Sequence, residues 1–264
     1  MTPIVNPYDS AGNGYGDVLI DVTGNLALAH NVPAGCIRHY PPPLEDAAQS
    51  SGEIAYANMA GGVFSGWGGV ATTPGWNVDT VADVNGDGFA DIVIQAQSSG
   101  QIAYADMAGG FFSGWVGVAA APGWSVVGAG DINGDGDADI VIQNQSSGQI
   151  AYADMAGGVF NGWVGVASTP GWDVTAVDDV VGDGSADIII QNQSSGQIAY
   201  ANMTGGTFQG WGSVATTPGY TAHAGPAVAG DYASFDGEPA RSNYAGGLLI
   251  APPPQIQPQH LGIA

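Results

Sequence analysis

The stretch DINGDGDADIVIQNQSSGQIAYADMAGGVFNGWVGVASTPGW, Asp131 to Trp172, recurs three more times in the chain, whole or in part, with homologous positions 48 residues apart. Tyr56, Tyr104, Tyr152 and Tyr200 mark the frame, as do Trp67, Trp115, Trp163 and Trp211, and then Trp76, Trp124, Trp172 and Tyr220. A period of roughly 20–50 residues marks stacked or radially arranged supersecondary units, none of which buries its apolar face alone. Function therefore has to be sought in what is repeated.

Within a unit, short β-prone runs alternate with turn chemistry: ADIVIQNQ, SSG, QIAYADM, AGG, VFNGWVGVA, STPG and WDVTAVDD. That is four strands per unit, with Gly in the connectors free to take positive φ. No run carries the 3.6-residue periodicity of a helix. The fold expected is all-β, a β-propeller whose blades are four-stranded units of about 48 residues. A β-solenoid is the alternative, although its coils are usually shorter.

The whole chain, 1–264, is read as one such domain, with four regular repeats over 44–220 and degenerate flanks at 1–43 and 221–264. Asp9 to His30 aligns with the loop and first two strands of a unit, so LALAH falls on QIAYAD. Gly230 to Ala251 resembles the same stretch with one insertion. If the ring closes through both termini, residues 231–264 and 1–8 share a blade and the total is five or six. Asn31 to Pro43 reads as an irregular insertion, and the Pro-rich segment 252–264 as an extended arm.

The charge balance is lopsided: 24 carboxylates face only Arg38 and Arg241, there is no lysine, and the net charge is −22. Without a basic patch, a nucleic acid partner is excluded, and anionic membranes are disfavoured. No apolar run approaches the length of a transmembrane helix, so membrane insertion is not expected. Cys36 is alone, which removes internal disulfides and cysteine metal clusters. The opening MTPIVNPYDSAGNGYG lacks a basic segment followed by an apolar stretch and does not read as a secretory signal. A removed leader, another export route or exit inside a particle are the options this leaves.

Each unit carries an acidic loop before its IVI strand. In DVNGDGFAD and DINGDGDAD, oxygens at positions 1, 3 and 5, a backbone carbonyl at 7 and a carboxylate at 9 can wrap one hard cation, while Gly at 4 and 6 lets the backbone curl. Ca²⁺, which takes 6–8 oxygens in flexible geometry, suits this better than Mg²⁺. The candidate ligands are Asp83, Asn85, Asp87, the Phe89 carbonyl and Asp91, and then Asp131, Asn133, Asp135, the Asp137 carbonyl and Asp139. The third loop keeps Asp179, Asp183, Ser185 at position 7 and Asp187, but Val181 stands at position 3, so weaker binding is expected. Asp9, Asn13, Tyr15 and Asp17 make a poorer loop with Ala11 in third place. The fragment at Asp231 and Asp236, with Arg241 where the last carboxylate belongs, is expected to bind no metal. These five loops hold 15 of the 24 carboxylates, so most of the acidity lies where cations would neutralise it.

GDINGDGDADIVIQ and VADVNGDGFADIVIQ resemble the FG-GAP or VCBS repeats of integrin-type β-propellers and many bacterial extracellular proteins, which hold Ca²⁺ in a D-x-[DN]-x-D-G-x-x-D hairpin loop. The resemblance covers the four regular units and faintly both flanks. It implies a calcium-stabilised scaffold for adhesion or recognition, and some propellers with similar repeated blades are lectins. The unit is shorter than typical integrin blades, and Phe-Gly and Gly-Ala-Pro signatures are not evident.

No enzymatic activity is expected. His30, His39, His223 and His260 lie outside the regular units, Cys36 lies in the irregular insertion, and no nucleophile and base pair has a readable motif. Repeated aromatics beside Asn, Asp and Gln could form equivalent sugar pockets: Asp106, Asp154, Asn58 and Asn202 follow the tyrosines, and Gln143 and Asn144 lie earlier in the blade. Against this, aromatics in a repeated β unit more often pack blades together, and the ligand-binding residues stay unassigned. Extracellular or surface recognition of a glycan or surface protein is the first functional expectation. The alternative is a structural component of a surface assembly, filament or virion that contacts its neighbours, or further copies of itself, through the termini.

Overall fold

The computed structural model describes residues 18–21, 26–27, 52–60, 63–108, 111–219, 221–225 and 247–251. The strands, in chain order, are β1 (Val18–Asp21), β2 (Leu26–Ala27), β3 (Glu53–Ala60), β4 (Val63–Thr72), β5 (Trp76–Ala82), β6 (Asp91–Ala96), β7 (Gln101–Ala108), β8 (Phe111–Ala120) and β9 (Ser125–Gly130). They continue as β10 (Asp139–Asn144), β11 (Gln149–Ala156), β12 (Val159–Ser168), β13 (Trp172–Asp178), β14 (Asp187–Asn192), β15 (Gln197–Thr204), β16 (Thr207–Thr216), β17 (Thr221–Gly225) and β18 (Gly247–Ala251). The protein is all-β, built of four-stranded antiparallel sheets in the orders β2-β1-β3-β4, β5-β6-β7-β8, β9-β10-β11-β12 and β13-β14-β15-β16, followed by the pair β17-β18. No helix among the described residues is long and apolar enough to cross a membrane.

Strand pairing stays within each sheet, so the described residues do not adopt the coil-to-coil pairing of a solenoid. Sheets instead pack face on face. Val93, Ile102 and Tyr104 of the second sheet share one core with Ile140, Ile142, Ala151 and Met155 of the third. Val141, Ile150 and Tyr152 meet Ile188, Ile190, Ala199 and Met203 of the fourth in the same way. This explains why DIVIQ reads as a continuous apolar run: β6, β10 and β14 are covered on both faces and buried along nearly their whole length. The outermost strands β8 and β12 alternate between exposed and half-buried residues.

The sequence repeat and the sheet are out of phase. The fourth run of the unit at Asp131, WDVTAVDD, forms β13, which is the first strand of the next sheet rather than the last of its own. Each first strand lies against the first strand of the neighbouring sheet, β5 by β9, β9 by β13 and β13 by β17. The N-terminal flank also departs from its expected alignment. VLID (β1) pairs with β3, Leu19 opposite Tyr56, while Leu26–Ala27 pairs on the other side of β1. LALAH therefore does not take the QIAYAD position, which Glu53–Ala60 fills from beyond the irregular insertion. At the other end GLLIA (β18) pairs with β17 as an IVI strand pairs with its predecessor, His223 opposite Leu249. The arm 252–264 and the blade expected from residues 231–264 and 1–8 lie, but for β18, outside the described residues.

Candidate metal loops and their surroundings

Among the described residues, the acidic loops at 83–91, 131–139 and 179–187 each join the first and second strands of a sheet. Positions 4 and 6 have the positive φ that only Gly adopts without strain: 70° and 91° at Gly86 and Gly88, 77° and 101° at Gly134 and Gly136. The curl they permit turns the loop's amides inward onto its side chains. Asp83 accepts from the Asp87 N–H at 3.1 Å and the Gly88 N–H at 2.9 Å, while Asn85 Oδ1 accepts from the same Asp87 N–H at 3.0 Å. Asp87 in turn accepts from the Phe89 N–H at 2.9 Å. The second loop repeats the pattern: Asp131 takes the N–H groups of Gly134, Asp135 and Gly136, Asn133 takes that of Asp135, and Asp135 takes that of Asp137.

The ninth-position aspartates do something different. Asp91 is fully buried and bridges two backbone segments, accepting from Val84 N–H at 3.1 Å and Met107 N–H at 2.9 Å. Asp139 does the same with Ile132 and Met155, and Asp187 with Val180, Val181 and Met203. Burial drives the Asp91 carboxyl up to about 7 despite these bonds, and repulsion from Asp87 and Asp106 adds to it. Burial likewise lifts Asp139 to about 7, with Asp154 and Asp135 contributing. Asp83 and Asp131 are raised mainly by burial as well.

Among the described residues no three His, Cys, Asp or Glu side chains converge as a metal cluster, and Asp83 and Asp131 lie on backbone amides. The donor chemistry nevertheless fits a hard cation: every candidate side-chain donor is oxygen, and the oxygens of Asp83 and Asn85 lie side by side on one N–H. Asp83, Asn85, Asp87 and the Phe89 carbonyl would hold it, with Asp91 behind them, and the second loop would use Asp131, Asn133, Asp135 and the Asp137 carbonyl, with Asp139 behind. Bound calcium would supply the positive charge that these mutually repelling carboxylates lack. In the third loop Asp179 keeps its amides and Asp183 still accepts from the Ser185 N–H at 3.0 Å, while its other oxygen accepts from the Thr204 hydroxyl at 2.8 Å. The loop at Asp9, Asn13, Tyr15 and Asp17 lies outside the described residues.

The loops also join neighbouring sheets. The Asp83 carbonyl accepts from Ala138 N–H at 2.8 Å, and the Asp131 carbonyl from Ala186 N–H at 2.6 Å. Tyr104 and Tyr152, each 3% exposed, donate their hydroxyls to the carbonyls of Gly158 and Gly206 in the following sheet. Gln143, 1% exposed, donates to the Trp172 carbonyl and accepts from Val174 N–H. Asn144 is folded onto Ser146 and Ser147. The tyrosines and Gln143 therefore hold sheets together and are not the sugar-facing groups their neighbours in sequence suggested.

Two features were missed in the sequence. Asp106 and Asp154 accept from the side-chain amides of the loop residues Asn85 and Asn133, at 3.2 and 2.9 Å. The outermost strands carry the exposed tryptophans Trp67, Trp115, Trp163 and Trp211, at 50%, 37%, 38% and 43% exposure. Phe112, Phe160 and Phe208 pack edgewise against the last three at 5.2–5.3 Å between ring centres. Trp115 and Trp76 flank a cleft of about 200 Å³ that Thr73, Ile94 and Ala103 complete. Only the 48-residue spacing of the tryptophans hinted at this, since position alone does not say which face is covered.

Comparison with known proteins bears on the loops directly. Residues 83–142 match the FG-GAP-like repeat, which supports the resemblance carried by the two best loops. No curated protein matches the chain in sequence. Among solved structures, the Tc holotoxin pore of Photorhabdus luminescens is similar at 15% identity and a TM-score of 0.40, over 66% of this chain and 10% of that one. YCF48 from Cyanidioschyzon merolae is similar at 14% identity and a TM-score of 0.38, over 66% of this chain and 57% of that one. The chain thus spans less than two thirds of either protein.

Proposed function

We propose that this chain is a non-enzymatic, calcium-binding β-propeller that serves recognition or adhesion at an extracellular, cell or particle surface, with glycans as its ligand class. The observation that carries the reading is the row of exposed indoles at Trp67, Trp115, Trp163 and Trp211, one on the outermost strand of each four-stranded sheet. An indole face covers the apolar face of a sugar ring, and four equivalent platforms on a rigid array turn weak single contacts into avidity. The acidic loops give the array its stiffness by accepting calcium. Absence of a readable nucleophile and base pair in the sequence supports a binding role over catalysis.

A glycan array probed in calcium tests this. Binding is expected to fall stepwise as Trp115→Ala, Trp163→Ala and Trp211→Ala are combined. Complete silence of the wild type on the array overturns the glycan reading. The alternative, a decoration or attachment component of a filament or virion, draws support from the same strands, whose outer edges pair with no other strand among the described residues. Sedimentation of native source material distinguishes the two, since the alternative expects the chain in a large particle.

A further inference from the structure

We propose that Asp106 and Asp154 are positioning residues for calcium in the first two acidic loops, acting through Asn85 and Asn133; this rests on the calcium reading above. A carboxylate only accepts, so when Asp106 Oδ1 receives the Asn85 Nδ2–H at 3.2 Å it fixes which way that amide points. Asn85 Oδ1 is then turned into the loop, where it accepts from the Asp87 N–H. Asn133 donates its Nδ2–H to Asp154 at 2.9 Å and also to Asp135 Oδ2 at 3.1 Å, and its Oδ1 is again left toward the Asp135 N–H. An outer carboxylate that orients a ligating group is how metal sites are tuned from one layer out.

The repeats themselves supply the control. The two units with Asn at the third loop position, Asn85 and Asn133, have Asp two residues after the frame tyrosine, Asp106 and Asp154. The two units without it, with Ala11 and Val181, have Asn there instead, Asn58 and Asn202. Register confirms the correspondence, since Leu19, Val93, Val141 and Ile189 stand opposite Tyr56, Tyr104, Tyr152 and Tyr200. In the third of these loops the buried Asn202 Oδ1 has no hydrogen-bond partner, as Val181 offers no donor. A charge left in that place would be buried without a donor, whereas a neutral amide costs less. The acid is therefore kept only where an asparagine stands to be oriented.

Calcium titration by calorimetry tests the proposal, with melting in chelator as a second readout. Asp106→Asn is expected to weaken calcium at its loop about 10-fold, at the lower end of outer-layer effects, while melting in chelator is unchanged or slightly raised. In an Asn85→Ala background the same substitution is expected to add nothing, because there is no amide left to orient. Additive losses would mean a through-space charge effect and overturn the proposal, as would an Asp106→Asn protein that binds calcium like the wild type. A gain is expected in the third loop: Val181→Asn with Asn202→Asp strengthens its calcium binding more than the two single changes together. If the wild type binds no calcium at all, the calcium reading fails and this one falls with it, a result distinct from wild-type binding that the variants leave unaltered.

Discussion

At the residue scale the buried aspartates set an unusual pH dependence. An unfolded Asp titrates near 3.9, whereas Asp91 and Asp139 are pushed up to about 7 by burial, and Asp178 to about 6. The folded state therefore holds protons that the unfolded chain has released, so the stability tied to them is fully present below pH 4 and is lost as pH rises through 7. In chelator, the contribution of these groups is expected to lower the melting temperature between pH 4 and 7. Calcium is expected to flatten the decline, because the cation favours the ionised carboxylates. A thermal melt series across that range checks both, and in chelator a melting temperature that rises steadily to pH 7 would refute the assignment.

At the scale of the element, the Gly205-Gly206 turn does more than reverse the chain. Gly206 has φ 75°, and a methyl group there would meet the Tyr152 hydroxyl at 2.8 Å and Asn133 Cβ at 3.2 Å. The turn thus seats closely on the acidic loop and tyrosine of the preceding sheet. Gly206→Ala is expected to destabilise by about 1–3 kcal/mol through backbone strain and lost packing, and Tyr152→Phe by about 1 kcal/mol through one hydrogen bond. Denaturant unfolding measures both. Strand positions and loop chemistry were readable because alternation, turn residues and oxygen spacing are local. The sheet to which WDVTAVDD belongs was not, since nothing within a strand states its partner. The burial of Tyr104 and Gln143 was equally hidden: it depends on the neighbouring sheet, whose contacting residues lie 54 positions on for Tyr104 and 29 to 31 for Gln143.

For the whole molecule, a net charge of −22 means that any bound cation would act as a global stabiliser. At a calcium concentration 100-fold above the dissociation constant, each occupied site adds about 2.7 kcal/mol, enough to move the melting temperature by several degrees. The gain is expected to be uneven along the array. Hydrogen exchange at 83–91 and 131–139 should slow most on adding calcium, and 179–187 less, because Val181 brings no side-chain oxygen to the third position of that loop. Uniform slowing across all three loops would contradict the graded ligand sets.

The half-step between repeat and sheet bears on how such a chain lengthens in evolution. Among the described residues, each unit begins in one sheet and finishes as the first strand of the next. Unequal recombination between homologous points therefore inserts or deletes a full period wherever the crossover falls, and both junctions recover a partner strand without new turn chemistry. The number of sheets is then a quantity that recombination can change, while each surviving sheet stays stitched to the neighbour that precedes it.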